Sequence, residues 1–234
     1  SMKTCIITGA GSGIGRATAI DLSFKDTFDT IVIIGRNLNN LDETYVRMNK
    51  KKDIRKIVFD LSNLRGIPDL VSEIYHYNDR IDCLLNIAGT VDPQPLLNTT
   101  LENMEETYTV NVFAPFMLIR ECVKYMKNND GGAKILNVAS TAGMTPRPGW
   151  LSYSSSKAAL ISMSLTLSEE LAEYKIKIYC VSPGRCATAL RRKLAPEEDP
   201  STIMQPEEVS NVICQLVSDE EQCLDGQNII IRRK

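Results

Sequence analysis

The chain has 234 residues, with 27 lysines and arginines against 29 aspartates and glutamates, so its formal net charge is −2. This balance argues against nucleic acid or an anionic membrane surface as the main partner. No apolar stretch has the length of a membrane span, and the start of the chain lacks the apolar core of a signal peptide. The seven cysteines are scattered without metal-ligand spacing, which predicts reduced thiols in the cytoplasm and no metal site.

Apolar runs of strand length alternate with helical patterns along the chain. Strands are predicted at residues 5–8, 30–34, 54–59, 81–85, 133–138, 176–181 and 228–231. Helices are predicted at residues 16–25, 38–49, 63–77, 101–127, 152–173 and 206–217. We interpret Ser1 as a cloning remnant, and residues 1–234 are predicted to form a single α/β domain. Its fold would be a Rossmann-type doubly wound parallel sheet of about seven strands, with helices on both faces.

The turn after the first predicted strand is rich in glycine and opens a helix. Glycine lets the backbone approach a pyrophosphate closely, and the helix N-terminus offers free N–H groups and the positive end of a dipole. A strand, a glycine-rich turn and a helix in this order predict a dinucleotide-binding loop. The residues of this loop are Gly9, Gly11, Ser12, Gly13, Ile14 and Gly15.

The end of the second predicted strand lacks the acidic residue that commonly binds the adenosine ribose in dinucleotide folds. Gly35 stands there, and Arg36 follows it. An arginine at this point suits a 2′-phosphate, which predicts a preference for NADP(H), with NAD(H) as the alternative cofactor. The other interpretation of Arg36 is an exposed side chain at the tip of a loop.

Ser140 follows the fifth predicted strand, and Tyr153 and Lys157 lie four residues apart on the next predicted helix. At about 3.6 residues per turn, the phenol and the ammonium share one helix face. Alone, they also fit an ordinary surface pair. However, several further motifs fall at the carboxyl ends of predicted strands, where a parallel sheet binds its ligand. These are residues 9–15, Arg36, Asp60, residues 86–89, Ser140 and residues 183–184.

Over essentially the whole chain, these motifs resemble those of the short-chain dehydrogenase/reductase family. Residues 8–15 are similar to its TGxxxGxG loop, residues 86–89 to its NNAG segment, and residues 183–188 to its PGxxxT segment. Asn111, Ser140, Tyr153 and Lys157 match its catalytic tetrad in order and spacing. The chain departs from the family pattern at Ile87, at Arg185 and in its C-terminal end, which is not rich in glycine.

The resemblance implies a role for each member of the tetrad. Tyr153 would be the general acid and base, with its pKa lowered by Lys157 and by the oxidised nicotinamide. Lys157 would also bind the nicotinamide ribose. Ser140 would hydrogen-bond the substrate oxygen, and Asn111 would hold a water that links Lys157 to solvent.

The resemblance also implies the activity, which is hydride transfer between NADP(H) and a carbonyl or alcohol substrate, such as a small ketone or an oxoacyl thioester. An NADP-binding regulatory protein without turnover is the alternative. A homotetramer or dimer would form through the helices at 101–127 and 152–173. The implied cofactor contacts are Gly9, Gly11, Ser12, Gly13, Ile14, Gly15, Arg36, Asp60, Leu61, Asn86, Ala88, Gly89, Tyr153, Lys157, Pro183, Gly184, Cys186 and Thr188.

The substrate pocket should be walled by residues 144–151, by the loop after Gly89 and by a substrate-side segment at residues 185–205. Trp150 is either a substrate wall or a residue that only packs its loop. Arg147 is either a partner for an acidic substrate group or a solvated side chain. Residues 191–193 are either a docking point for an acidic carrier protein or a solvated face. The sequence does not identify the substrate.

Overall fold

A computed structural model describes residues 3–234, and the interpretation of Ser1 lies outside the described residues. Seven strands form one parallel sheet with the order β3-β2-β1-β4-β5-β6-β7. The prediction of a doubly wound parallel sheet is therefore confirmed. That residues 1–234 make up a single domain stays a prediction. The strands are β1 Thr4–Ile7, β2 Thr30–Gly35, β3 Asp53–Val58, β4 Cys83–Asn86, β5 Ala133–Val138, β6 Ile176–Pro183 and β7 Asn228–Ile231.

Helices cover both faces of the sheet, because strand side chains alternate between two apolar cores. In β1, Cys5 and Ile7 face one core and Ile6 faces the other, and all three are fully buried. Burying one such isoleucine stabilises the fold by about 1.5–3 kcal/mol. The helices are α1 Gly13–Ser23, α2 Leu38–Arg47, α3 Ile67–Asn78, α4 Leu101–Tyr108, α5 Ala114–Met126, α6 Leu151–Glu170, α7 Ala189–Leu194 and α8 Pro206–Val217.

The direction in which successive strands are added to the sheet reverses after β3, and the switch point lies between β1 and β4. The first three strands are laid down outward from β1 on one side, and the crossover through α3 returns to place β4 on its other side. The two connections that leave β1 and β4 diverge, which opens a crevice at the carboxyl edge of the sheet. The register of β1 with β4, which pairs Ile7 with Leu85, brings both strand ends to the same level.

The helix predicted at residues 101–127 is interrupted by a π-helical turn at Thr109–Phe113, between α4 and α5. Pro115 lies in the first turn of α5 and has no N–H to donate to the carbonyl of Asn111, four residues earlier. The wider π turn at Thr109–Phe113 accommodates the loss of this α-helical hydrogen bond. The distortion therefore includes Asn111 itself, where the sequence predicts one continuous helix.

The segment at residues 185–205, which shows no clear pattern in the sequence, contains the short helix α7. The Thr188 side chain caps this helix by accepting a hydrogen bond from the backbone N–H of Arg191 at 3.1 Å. Within residues 3–234, none of the helices combines the length and the apolar character needed to cross a membrane.

Candidate active site

A groove of about 480 Å³ lies along the carboxyl edge of the sheet, at the crevice between β1 and β4. It brings together eighteen of the twenty predicted catalytic and cofactor residues. The other two, Asn86 and Asn111, do not line it. Those that line it are Gly9, Gly11, Ser12, Gly13, Ile14, Gly15, Arg36, Asp60, Leu61, Ala88, Gly89, Ser140, Tyr153, Lys157, Pro183, Gly184, Cys186 and Thr188.

The glycine-rich loop is held close to the strand beside it. Gly9 has a φ of +63°, and a Cβ there would lie 2.8 Å from the backbone of Ala88. Ser12 is the N-cap of α1, yet its side chain makes no capping hydrogen bond. The first N–H groups of α1 therefore lack a side-chain acceptor, and they point into a groove where a phosphate could accept them.

Arg36 and Asp60 face one another at one end of the groove, after β2 and β3 respectively. The Asp60 carboxylate accepts hydrogen bonds from the Ser62 backbone N–H at 2.9 Å and from the Ser62 hydroxyl at 2.8 Å. These bonds, and then the charge of Arg36, hold the pKa of Asp60 below its usual value. An exposed arginine and an ionised carboxylate therefore flank this end of the groove.

Asn86 lies beneath the groove and is 3% exposed. Its side-chain amide donates to Asn137 Oδ1 at 2.9 Å, and the Asn137 amide donates to Ser164 Oγ at 2.9 Å. The side chain predicted to contact the cofactor is thus turned into a buried polar chain that joins β4, β5 and α6. It supports the floor of the groove instead of lining it.

Tyr153 and Ser140 meet at the middle of the groove. Tyr153 is 5% exposed, and burial raises the pKa of its phenol. The hydrogen bond with the Ser140 side chain and the charge of Arg191 act in the opposite direction. Lys157 was expected to lower this pKa, but its ammonium lies 5.8 Å from the centre of the phenol ring and is not among the groups that do so.

Lys157 is buried, and its ammonium donates one hydrogen bond, to the Val138 carbonyl at 3.0 Å. Burial lowers the pKa of this ammonium to about 8. An ammonium carries three hydrogens, so two remain for hydroxyl groups of a molecule bound in the groove. The residues on this wall therefore fit the ribose of a nicotinamide nucleotide.

The lowered pKa of Lys157 predicts a pH-dependent stability. The unfolded chain binds the proton with a pKa of 10.5 and the folded chain with a pKa of about 8. Burial of the charge costs stability in full below about pH 8, and this cost disappears as the pH rises toward 10.5. We expect the difference in free energy of unfolding between Lys157→Met and the wild-type protein to shrink by about 3 kcal/mol over this range.

Urea unfolding at pH 7 and at pH 10 measures that difference. Lys127→Met removes an exposed lysine and is the matched control, since its difference from the wild-type protein should not change with pH. If both variants show the same pH dependence, the buried ammonium is not the cause.

Asn111 is 1% exposed and lies behind Gly89. Its amide donates to the Thr90 carbonyl and to Ser156 Oγ, both at 3.0 Å, and its carbonyl oxygen accepts from the Thr90 N–H at 2.9 Å. Both amide hydrogens are therefore used in tying the loop after β4 to α6. The water predicted to link Asn111 with Lys157 stays a prediction.

The substrate side of the groove differs from the sequence interpretation at Arg191. This side chain lies against Glu198, donating to its two carboxylate oxygens at 2.8 and 3.2 Å, while Arg192 and Lys193 are exposed. Trp150 packs against the buried cluster of Val91, Ala142 and Tyr153 and also lines the groove, and its role as a substrate wall stays a prediction.

Arg232 also lines the groove, and the sequence analysis missed it. It follows β7, whose Ile231 is paired with Pro183 of β6. The rule that placed the other motifs at strand ends applies equally to the last strand, so the signal was available.

Residues 3–199 match the family model described as short chain dehydrogenase. The chain belongs to this family of oxidoreductases. The 3-oxoacyl-(acyl-carrier-protein) reductase FabG of Thermotoga maritima is 34% identical over 239 residues, covering 97% of this chain and 95% of that protein. The NADPH-dependent reductase YwfH, involved in bacilysin biosynthesis, is 25% identical with a TM-score of 0.89 over 99% of this chain and 97% of its own. An NAD⁺-bound xylitol dehydrogenase is 25% identical with a TM-score of 0.86 over 98% and 97%.

Proposed function

We propose that the protein is an NADP(H)-preferring reductase of a carbonyl substrate, or the corresponding alcohol dehydrogenase in the reverse direction. The observation that carries the proposal is the convergence of Ser140, Tyr153 and Lys157 on one wall of a groove that also contains a glycine-rich phosphate loop. Membership of an oxidoreductase family supports hydride transfer as the reaction.

In this proposal Tyr153 is the catalytic acid. The chemistry that NADPH would supply, when held by the glycine-rich loop and Lys157, is a hydride for the substrate carbon. As negative charge grows on the substrate oxygen, Tyr153 donates its phenolic proton to that atom, and Ser140 holds the oxygen by a hydrogen bond. Lys157 uses its free hydrogens to hold the nicotinamide ribose, while the Ser140 hydrogen bond and the charge of Arg191 favour loss of the proton from the phenol. Asn111 fixes the loop that carries Gly89 and so positions the wall.

The preference for NADP(H) rests on Arg36. It follows Gly35 at the end of β2 and lines the groove beside Asp60. No acidic residue stands at the end of β2 itself. A guanidinium forms paired hydrogen bonds with a phosphate, whereas an acidic residue would repel it. The solved relatives differ in cofactor, since one is named as NADPH-dependent and another holds NAD⁺, so this residue carries the argument.

We expect Arg36→Asp to reduce NADPH affinity by about tenfold and to shift the preference toward NADH, because the substitution removes a charge-assisted hydrogen bond at an exposed position. Titration of each cofactor by calorimetry measures the shift. Arg47→Asp makes the same charge change at an exposed position of α2 and should leave the ratio unaltered. Equal affinity of the wild-type protein for NADH and NADPH would already contradict the role of Arg36.

For the substrate we propose a small ketone or an oxoacyl thioester, bound between the loop before α6 and the segment at residues 185–205. The name of the Thermotoga relative supports the thioester. NADPH oxidation measured across ketones, oxoacyl thioesters, sugars and quinones tests the reaction. Oxidation with none of these, in a protein whose melting temperature NADPH raises, would favour the regulatory alternative.

We also propose that the chain works as a dimer or tetramer in the cytoplasm. Phe113, Phe116 and Leu165 are exposed on the surface of the π turn, α5 and α6, where a second copy would cover them. All seven cysteines lack a disulfide partner, which supports a reducing compartment.

A further inference from the structure

The substrate end of the groove is rich in arginine and poor in acidic groups. Arg147, Arg185, Arg191 and Arg232 all line it, as does the ammonium of Lys157. Among the described residues that line the groove, Asp60 is the one carboxylate, and it lies at the opposite end beside Arg36. A wall with several cations and no facing anion creates a positive potential where the substrate would bind.

Glu198 forms ion pairs with two of these arginines, Arg185 and Arg191. It accepts hydrogen bonds from Arg191 at 2.8 and 3.2 Å and from Arg185 at 3.4 Å. These bonds hold the pKa of Glu198 below its usual value, so its carboxylate is charged. Arg191 is thus already paired, and it is fixed in position instead of being available to a ligand.

Arg147 has no such partner. Within residues 3–234 no carboxylate lies within ion-pair distance of it. It lines the groove and lies between Pro146 and Pro148, whose rings restrict the backbone that carries its side chain. An exposed but positioned guanidinium is suited to paired hydrogen bonds with a planar or tetrahedral anion.

Trp150 connects this arginine with the catalytic centre. The centre of its ring lies 5.8 Å from the Arg147 guanidinium carbon and 5.7 Å from that of Arg191, and the ring packs against the buried cluster of Val91, Ala142 and Tyr153. A flat apolar surface therefore separates the unpaired guanidinium from the phenol. A substrate that spans this surface would present its reacting oxygen to Tyr153 and a charged group to Arg147.

We infer that the substrate carries an anionic group, a carboxylate or a phosphoryl group, which Arg147 binds beside the ring of Trp150. This inference rests on the proposed reductase function, because it names the class of molecule that occupies the same groove. It assigns Arg147 to binding, with Arg191, held by Glu198, as a second guanidinium beside the same Trp150 ring.

Trp150 is the one tryptophan of the chain, so its fluorescence reports on this site without any turnover. Fluorescence titrations of the full chain, with and without NADP⁺, would compare benzoate with benzamide and phenyl phosphate with benzyl alcohol. We expect each anion to bind roughly 10- to 100-fold more tightly than its neutral counterpart. Tighter binding of phenyl phosphate than of benzoate would assign a phosphoryl group, and the reverse order a carboxylate.

Arg147→Gln should remove this selectivity. Arg192→Gln, which replaces an exposed arginine of α7 that does not line the groove, should preserve it. Equal affinity for benzoate and benzamide in the wild-type protein would overturn the inference, as would unchanged selectivity in Arg147→Gln. The reductase function is tested separately. If the protein oxidised no NADPH with any carbonyl, the reductase function would be contradicted. Anion selectivity that depends on Arg147 would still support the anion site in that case.

Discussion

Replacing Tyr153 by phenylalanine is expected to lower kcat by about 10²- to 10⁴-fold, the contribution that a positioned general acid or base usually makes. The substitution removes only the hydroxyl, which meets Ser140 in the groove. The ring, which is buried in a cluster with Val91 and Ala142, remains, so the fold and the cofactor groove should persist. The assay is NADPH oxidation with the best substrate found for the wild-type protein, and the rise in melting temperature with NADPH reports cofactor binding.

Tyr174→Phe is the matched control, because Tyr174 is 37% exposed and does not line the groove. Its turnover should equal that of the wild-type protein. Unchanged turnover in Tyr153→Phe would remove Tyr153 from the mechanism. Loss of both turnover and the cofactor-induced rise in melting temperature would mean that the hydroxyl supports the structure, and the role as an acid would then lack support.

The second large effect is expected for Gly15→Ala, at the start of α1. A Cβ at this position would lie 2.0 Å from the Gly9 carbonyl oxygen and 2.6 Å from the Gly9 carbonyl carbon. Both contacts are with backbone, which cannot rotate away as a side chain can, so the loop itself must move. We expect NADPH affinity to fall by at least ~100-fold, since the N–H groups of the loop would no longer converge on one point.

Gly131→Ala is the matched control, because nothing lies within 4 Å of a Cβ built there and its φ is not positive. Calorimetric titration of NADPH, with circular dichroism of both variants, separates loss of binding from loss of fold. If a folded Gly15→Ala protein bound NADPH with wild-type affinity, the loop would tolerate the displacement. The close packing of Gly15 on Gly9 would then not be needed for NADPH binding.

Much of the fold follows from local patterns in the sequence. Continuous apolar runs such as residues 30–34 predict strands buried on both faces, and alternation with helices predicts the parallel order. The site follows from one further rule, since residues that come directly after such strands meet at one edge. That rule places Ser140 and Arg36 in the groove, and it would have placed Arg232 there as well.

What the sequence could not predict depends on tertiary contacts. Asn86 has the position of a groove residue, but its side chain is drawn into the chain of amides with Asn137. Arg191 belongs to a basic run that resembles a solvated face, yet Glu198, seven residues later, turns it inward. Each outcome depends on which partner the folded backbone brings within hydrogen-bond distance, and local propensity carries no information about that.

The π turn at Thr109–Phe113 has a consequence for how this chain tolerates insertions and deletions. It holds one residue more than an α-helical turn would, so α4 and α5 are out of phase with each other by one position. Deleting a single residue there would remove this extra residue, although Pro115 would still lack the N–H that an α-helix uses at that point. The deletion would also rotate one half relative to the other by about 100°. Asn111 would swing away from Thr90 and Ser156, and the length of this segment is therefore as much a determinant of the site as the identity of its asparagine.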